Sequence, residues 1–369
     1  TVILTRRACL GSSRSGGRLQ NSRGAGSCPD PEKAAAFESE SVCVCECVCG
    51  MNYLPVLIAF LAAATWRNTT NSTIVAVVAC VVGTVRLLTQ TRYPVLATGA
   101  VVFSDCSSEA GRYAAGELSR YSGKGDRFNY HVLCGVRNAE DADSISQESY
   151  KMHPFLLNIT DSSSIKKGYK EVKRILAQKN LQLVAVVNSW SVEGKVAPVD
   201  ELVDSDYRQI MDEAFIGPAK LFKKFLPLVK NSKGRVVQMG SVLGFISLPF
   251  TQPYSAAHHA IESYMDTLRR EVRDHEVSVS IIRQGWFEGA QQDIADKGSI
   301  TDFFTLHSTA KWESKHSKLF AKGRRAVAAA RASKNIGGLT ELAKTVTHAI
   351  SDSLPQTRYV IGAVVEPRL

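Results

Sequence analysis

The sequence has few cysteines that could build a disulfide framework or a zinc site. Six of its nine cysteines lie before residue 50, and four of those alternate within residues 43–49. Alternation places side chains on one face of a strand, which differs from the paired spacing of zinc fingers. The sequence predicts no other metal site, because the neighbouring His258 and His259 point apart on a helix.

The sequence also lacks a strong charge imbalance. Its net charge is +10 over 369 residues, and no basic run suggests nucleic-acid recognition. The basic excess is concentrated in residues 311–334, where eight Lys and Arg residues face one acid, Glu313. For this segment a solvated helical face and a contact with anionic lipid headgroups or an acidic partner both remain open.

No apolar run reaches the roughly 20 residues that a straight membrane-spanning helix needs. Two shorter runs, Tyr53–Trp66 and Ile74–Leu88, are separated by a polar segment. Either the first is a signal-type hydrophobic region, or the second spans or enters the membrane, or both form a re-entrant hairpin. We therefore expect residues 51–90 to anchor the chain, through residues 53–88, to a membrane of the endoplasmic reticulum or the mitochondrion.

Residues 1–50 lack apolar periodicity and are rich in Ser, Gly and Arg. They begin without Met, and a more protein-like stretch starts at Met51. We interpret them either as translated upstream sequence or as a disordered or transit-like leader.

From Tyr93 onwards, short apolar runs alternate with helical periodicity. The predicted strands are Tyr93–Thr98, His131–Val136, Phe155–Ile159, Leu181–Val187, 235–239, Val277–Arg283 and Arg358–Val365. The predicted helices are Ser108–Tyr121, Ser163–Gln178, Tyr207–Lys230, Tyr254–Arg273 and Leu339–Leu354. This alternation predicts an α/β domain at residues 91–369, a doubly wound parallel sheet of the Rossmann type. Residues 286–335 are an insertion that we expect to form a lid.

Residues 235–260, RVVQMGSVLGFISLPFTQPYSAAHHA, place a serine and a tyrosine at the ends of two elements. Ser241 ends a short buried strand, and Tyr254 begins a helical run. From these positions two hydroxyl groups can converge on one carbonyl oxygen, polarise it and transfer a proton. The segment therefore indicates a candidate active site.

This segment resembles the short-chain dehydrogenase/reductase family, and within it the membrane-linked hydroxysteroid, retinol and 3-hydroxybutyrate dehydrogenase branch. The ending ELAKTVTHAISDSLPQTRYVIGA resembles the closing helix and strand of that branch. The resemblance implies that Ser241 orients the substrate and that Tyr254 donates or accepts the proton. It also implies a lysine one helical turn later, where this sequence has His258. A neutral His258 adds no permanent charge, although it can relay a proton through water.

The same resemblance implies a dinucleotide site, with NADP or NAD as the cofactor if one is bound. The cofactor-binding positions it implies are Thr98, Gly99, Ser108, Gly111, Arg137, Asp161 and Asn188. Thr98-Gly99 opens the turn, residues 101–106 interrupt it as an insertion, and Gly111 keeps the helix-packing role. Arg137 favours NADP over NAD, and Asp161 either contacts the adenine or caps a helix.

Several positions depart from the family's pattern. Glu109 replaces the glycine that approaches the pyrophosphate, and Trp190 replaces a small residue after Asn188. Ala214 replaces the catalytic asparagine, and Gln284 replaces the proline that bends around the nicotinamide. A carboxylate beside a pyrophosphate is repulsive. We therefore expect a turn that is kept for folding and no longer for binding.

Together these departures predict a membrane-associated pseudoenzyme of this fold, catalytically impaired and serving a binding or assembly role. The alternative is an active NADP(H)-dependent oxidoreductase that interconverts a lipid-like alcohol and ketone, such as a steroid, a retinoid or a hydroxyacid. Apolar residues of the 286–335 insertion would line its pocket or form an interface. The resemblance also implies a homo-oligomer, formed through the helix that bears Tyr254, or a larger complex.

Overall fold

A parallel sheet forms the centre of the structure. The computed structural model describes residues 91–121, 128–192, 197–285 and 338–362, together with Lys318 and Ala321. Within these residues seven strands form one sheet in the order β3-β2-β1-β4-β5-β6-β7, and every pairing is parallel. The strands are β1 Thr98–Phe103, β2 Asn129–Val136, β3 Met152–Leu156, β4 Leu183–Asn188, β5 Arg235–Ser241, β6 Ser278–Gln284 and β7 Arg358–Ile361.

Helices cover both faces of this sheet. They are α1 Glu109–Arg120, α2 Ala139–Glu148, α3 Ser162–Lys179, α4 Asp204–Met211, α5 Gly217–Asn231, α6 Gln252–Glu271 and α7 Leu339–Ser351. Apolar residues of α1, α2 and α7 pack with one set of strand residues. Those of α3, α5 and α6 pack with the other set. The predicted doubly wound α/β fold is therefore confirmed.

The first strand lies later in the chain than the sequence predicted. β1 begins at Thr98, where the predicted strand Tyr93–Thr98 was expected to end. Ala100–Phe103 are completely buried and pair with β2 on one side and with β4 on the other. The residues just before β1 are apolar for a different reason, because they pack against the core without joining the sheet. Residues 101–106 are therefore the strand and its turn, and they are not an insertion.

Two helical features were not predicted. The expected single helix Tyr207–Lys230 is divided into α4 and α5 by a π-helical turn at Asp212–Ile216. The segment between β2 and β3 contains α2, which begins where the Asn138 side chain accepts a hydrogen bond from Asp141 N at 2.8 Å. A π turn widens the helix locally and is frequent at functional sites.

Three predicted segments cannot be compared with this architecture. Residues 1–50, the predicted anchor at residues 51–90 and nearly all of the predicted lid at residues 286–335 lie outside the described residues. Among the helices that the structure does describe, none has the length and apolar content needed to cross a membrane.

Candidate active site

The strand order reverses between β1 and β4. β1 pairs with β2 on one side, and β4 continues the sheet on the other through β5 to β7. In open parallel sheets, ligands bind in the crevice outside the carboxyl ends of the strands at such a reversal. Residues 104–108 follow β1 and residues 189–192 follow β4. The contacts between these two segments therefore decide what the crevice can hold.

Hydrogen bonds join the two segments across the crevice. Ser104 Oγ donates to Asn188 Oδ1 at 2.7 Å and accepts from Ser189 N at 2.9 Å. Asp105 N donates to Ser189 Oγ at 3.0 Å, and Ser189 Oγ donates to Asp105 O at 2.8 Å. Asn188 Nδ2 donates to Gln238 Oε1 at 3.1 Å. Asn188, predicted to bind a cofactor, is a buried residue whose side chain links β4 to β5 and to the turn after β1.

Thr98 and Gly99 do not lie at this crevice. They open β1 at its amino end, whereas the crevice lies beyond the carboxyl ends of the strands. A Cβ at Gly99 would press against the Val184 side chain, so close packing inside the sheet accounts for this glycine. The prediction that Thr98 and Gly99 bind a cofactor is therefore corrected. The turn begins at Ser104-Asp105, and the sequence signal that could have located it is the apolar run AVVF that ends there.

The turn after β1 leads directly into α1. Ser108 Oγ accepts a hydrogen bond from Gly111 N at 3.3 Å and caps the helix. A Cβ at Gly111 would overlap the carbonyl oxygen of Asp105, far inside the 3.0 Å limit of real Cβ contacts. Glu109 stands in the first turn of α1, where the helix dipole favours its carboxylate. Ser108 and Gly111 are thus at the predicted turn, and their observed contacts build it.

Arg137 follows β2 and lies against the same turn. Its Nη2 donates to Asp105 Oδ2 at 2.8 Å and, less closely, to Ser191 O at 3.4 Å. The guanidinium carbon lies 4.4 Å from the centroid of the Trp190 ring, within the range of a cation–π contact. The side chain predicted to favour NADP over NAD is therefore engaged by residues of this chain.

Asp161 follows β3 and caps α3. Its Oδ1 accepts from Ser163 N at 2.8 Å, and its Oδ2 accepts from Ser164 N at 3.1 Å. The sequence left an adenine contact and a helix cap as alternatives for Asp161. The structure shows the cap, which satisfies two otherwise unpaired N–H groups of α3.

Ser241 and Tyr254 meet at the carboxyl end of β5. Ser241 is the last residue of β5, and its Oγ accepts from Leu243 N at 3.1 Å. The Tyr254 side chain, in the first turn of α6, lies close enough to the Ser241 hydroxyl for the two groups to interact. Burial raises the pKa of Tyr254 above its ordinary value, and the interaction with Ser241 opposes that rise. Tyr254 is therefore protonated at neutral pH, which makes it a hydrogen-bond donor and a poor base.

His258 packs against Tyr254 one turn further along α6. The two ring centroids are 4.3 Å apart at an interplanar angle of 45°. His258 is only 4% exposed, and neither ring nitrogen has a hydrogen-bond partner among the residues that the structure describes. Burial and the neighbouring His259 lower the pKa of His258 to about 4. The imidazole is therefore neutral at pH 7 and places no positive charge beside Tyr254.

Two further positions that depart from the family's pattern, Ala214 and Gln284, lie near Tyr254 and Ser241. Ala214, in the π turn, belongs to a small buried cluster with Ala257, and Tyr254 packs against that cluster. Gln284, the last residue of β6, is in register with Ser241 of β5. Ala214 brings no polar side-chain atom to the site. The structure thus places Ser241, Tyr254 and His258 together, beside a small apolar cluster and with a neutral imidazole one turn after the tyrosine.

We predict that His258 makes the folded state sensitive to acid. The unfolded residue takes up its proton near pH 6.5, whereas the folded residue does so only near pH 4. Between these values the unfolded chain binds more protons, so stability falls as the pH falls. The contribution is complete above pH 6.5, and its loss approaches about 3 kcal/mol at pH 4. Thermal unfolding midpoints measured between pH 7 and pH 4 should show a steep decline.

The matched variants His258→Leu and His275→Leu test this assignment. His258→Leu should flatten the decline, and the remaining slope should come from groups such as His153, whose pKa burial also lowers to about 4. His275 is exposed, so its replacement should leave the slope unchanged. An unchanged slope in His258→Leu would show that His258 is already protonated, or accessible to protons, in the folded chain.

The crevice residues, as they stand, do not fit a dinucleotide. Asp105 and Glu109 place two carboxylates at the turn that would approach a pyrophosphate, and like charges repel at short range. Arg137 is held by Asp105, and the bonds to Asn188 and Ser189 join the two walls. A bound dinucleotide would require several of these contacts to break.

Fold and site together define a class: a doubly wound α/β protein with the Ser–Tyr arrangement of an oxidoreductase. The family model described as short chain dehydrogenase matches residues 127–297. Over 226 residues the chain is 29% identical to mouse retinol dehydrogenase 5, covering 61% of this chain and 65% of the relative. It is 28% identical over 218 residues to a 3beta-hydroxysteroid dehydrogenase of Caenorhabditis elegans, covering 58% of this chain and 55% of the relative.

A solved structure supports the same fold. The short chain dehydrogenase of Burkholderia cenocepacia, solved in complex with NADP, superposes with a TM-score of 0.52 at 16% identity. The superposition covers 72% of this chain and 89% of that one. The chain is therefore similar to proteins of the short-chain dehydrogenase/reductase family, among them retinol and hydroxysteroid dehydrogenases. It spans less than two thirds of the length of either relative.

Proposed function

We propose that this chain is a short-chain dehydrogenase/reductase-fold protein that binds a lipid-like ligand and does not catalyse hydride transfer. The observation that carries the proposal is the buried, neutral state of His258. In the position one turn after Tyr254 this residue offers a buried, neutral imidazole with a pKa of about 4. Burial and the interaction with Ser241 set the pKa of Tyr254, and His258 does not lower it. A tyrosine in this setting recognises a hydroxyl or carbonyl oxygen but is poorly suited to remove a proton.

The ligand class follows from the remaining polar groups. Ser241 and Tyr254 offer two hydroxyl groups beside the apolar Ala214–Ala257 cluster. This combination suits an apolar molecule with one alcohol or ketone group, because apolar contacts provide affinity and a few polar groups fix orientation. The two relatives are named for a retinoid and a steroid alcohol. The proposal also includes membrane association through residues 53–88, at the endoplasmic reticulum or the mitochondrion. It further includes assembly with a second copy of the chain or with a larger complex.

The second candidate is an active NADP(H)-dependent oxidoreductase acting on the same kind of alcohol or ketone. The observation that favours it is the retained proximity of the Ser241 and Tyr254 hydroxyl groups. NADP or NAD is the cofactor class of this fold, and the Burkholderia cenocepacia relative was solved with NADP. In this candidate the crevice contacts of Asp105 and Arg137 open when the cofactor binds.

Turnover and binding measurements separate the two candidates. We expect the full chain, purified in detergent, to show no change in nicotinamide absorbance with retinol or a 3β-hydroxysteroid and NADP or NAD, or with the matching carbonyl compounds and NADPH or NADH. We expect the same protein to bind one of these lipids, and Ser241→Ala to weaken that binding about five- to ten-fold, the value of one hydrogen bond. Ser146→Ala, which changes an exposed serine of α2, is the matched control.

Two results would decide against the proposal. Turnover that disappears in Tyr254→Phe would establish the oxidoreductase candidate. Failure of the folded protein to bind either lipid, together with no turnover, would remove the ligand-binding role and leave assembly with a partner.

A further inference from the structure

The carboxylate of Asp105 lies in a nest of hydrogen-bond donors. Asp105 is completely buried. Its Oδ1 accepts from Ser107 N at 3.0 Å, and its Oδ2 accepts from Ser191 N at 3.3 Å and from Arg137 Nη2 at 2.8 Å. These donors come from three segments, namely the turns after β1, β2 and β4. Two backbone N–H groups and a guanidinium that converge on one acid form an anion-binding site.

The location of this nest gives it a meaning beyond the packing of one turn. It lies at the carboxyl ends of β1 and β4, where the strand order reverses and where ligands bind in sheets of this kind. Its cation is partly accessible to solvent. The Arg137 side chain is 34% exposed, whereas the Asp105 side chain is fully enclosed. Arg137 also contacts the Trp190 ring, with the guanidinium carbon 4.4 Å from the ring centroid. An external anion could therefore reach the guanidinium of Arg137 if the Asp105 carboxylate did not hold it.

We infer that Asp105 is an internal ligand that closes a phosphate-monoester site at this crevice. Because it is part of the chain, its carboxylate competes with any phosphate at a high effective concentration. It also neutralises Arg137, so that little positive charge remains to attract an anion. The inference deepens the proposed function, since it states why the nucleotide edge of the fold is closed. It concerns binding at Arg137 and is independent of proton transfer at Tyr254.

Adenosine 2′-monophosphate and adenosine are suitable probes because they differ only by the phosphate. We expect the wild-type full chain to bind both equally weakly. Asp105→Asn keeps the size of the side chain and removes its charge, and it should bind the monophosphate at least about ten-fold more tightly than adenosine, as expected for a charged hydrogen bond. Asp105→Asn combined with Arg137→Met should lose this preference. Asp143→Asn, which alters an exposed acid of α2, should behave as wild type.

A stability measurement covers the case in which Asp105→Asn does not fold. Arg137→Met leaves the buried carboxylate without its cation and should lower the denaturation midpoint clearly. An unchanged midpoint in Arg137→Met would overturn the inference, because the Asp105–Arg137 ion pair would then not stabilise the closed crevice.

The binding outcomes are also decisive. A folded Asp105→Asn variant without preference for the monophosphate would overturn the inference and leave the proposed lipid-binding function untouched. A wild-type chain that already prefers the monophosphate about ten-fold would overturn it as well, because the site would be open. Lipid turnover by the wild type with NAD alone would instead refute the proposed function, whereas turnover with NADP would refute both, because the cofactor would then have displaced the Asp105–Arg137 pair.

Discussion

Alanine at position 111 is expected to lower the free energy of unfolding by more than about 3 kcal/mol, or to prevent folding. The reason is the close approach of α1 to the turn before it. A Cβ at this position would overlap the carbonyl oxygen of Asp105, a backbone atom that cannot rotate away. Relief would require α1 to move away from β1, against the buried contacts of Ala114, Ala115 and Leu118. Chemical denaturation of the purified chain measures the loss.

Gly116→Ala is the matched control in the same helix. A Cβ at Gly116 would come no closer than 3.4 Å to the tip of the flexible Arg120 side chain. Alanine has the higher helix propensity, so this variant should be as stable as wild type or more stable by up to about 1 kcal/mol. If Gly111→Ala also stayed within about 1 kcal/mol of wild type, the close approach of the turn and α1 would be refuted. A large loss would show that this turn is kept for folding, as the sequence predicts.

Replacement of Arg235 by alanine is expected to destabilise the fold by about 3–5 kcal/mol. Arg235 is the first residue of β5 and is completely buried. Its Nη2 donates to the carbonyl oxygens of Pro94 at 2.7 Å and Asp352 at 3.2 Å. Its Nη1 donates to two further carbonyl oxygens in the turn before β5. Burial lowers the pKa of Arg235 to about 10, so the side chain stays charged at pH 7.

The large effect is expected because one side chain satisfies four carbonyl oxygens from three chain segments. Removing it leaves those acceptors buried and creates a cavity. Arg235→Met retains most of the volume, so the difference between Met and Ala isolates the cavity, and the remaining loss isolates the hydrogen bonds. Arg120→Ala removes an exposed arginine whose one ion pair within the described residues is with Glu117 on its own helix, and it should leave the unfolding midpoint unchanged. Equal midpoints for Arg235→Ala and wild type would contradict the assigned role.

The alternation of strands and helices was predictable because of how this sheet is buried. Strands covered on both faces read as continuous apolar runs, and helices read as runs with a period near 3.6. The order of the strands from β2 to β7 follows from these patterns, whereas α2 and the π turn between α4 and α5 do not. β1 was misplaced because Leu96 and Ala97, just before the strand, are apolar residues that pack against the core outside the sheet. Composition does not distinguish burial within a strand from burial beside one.

Ser241, Tyr254 and His258 were also accessible to sequence reasoning. A serine that ends a strand and a tyrosine that begins a helix are recognisable from local pattern, and position 258 follows from helical spacing. That His258 is neutral, with both nitrogens buried and without hydrogen-bond partners in the described residues, was not accessible. The pKa of a histidine depends on its burial and on its neighbours, and those are set by elements distant in sequence.

By itself the sequence determined the doubly wound fold, the Ser–Tyr pair and the loss of the lysine, because each depends on local periodicity or on residue identity. Only the tertiary structure decided what the crevice residues do. Asp105, Arg137 and Ser191 are separated by 32 and 54 residues, and they meet because parallel strands bring their carboxyl ends to one edge of the sheet. At that edge the Asp105 carboxylate forms an ion pair with Arg137 of the same chain. Neither a sequence period nor a motif predicts a contact of this kind, because it depends on which segments the folded sheet brings together.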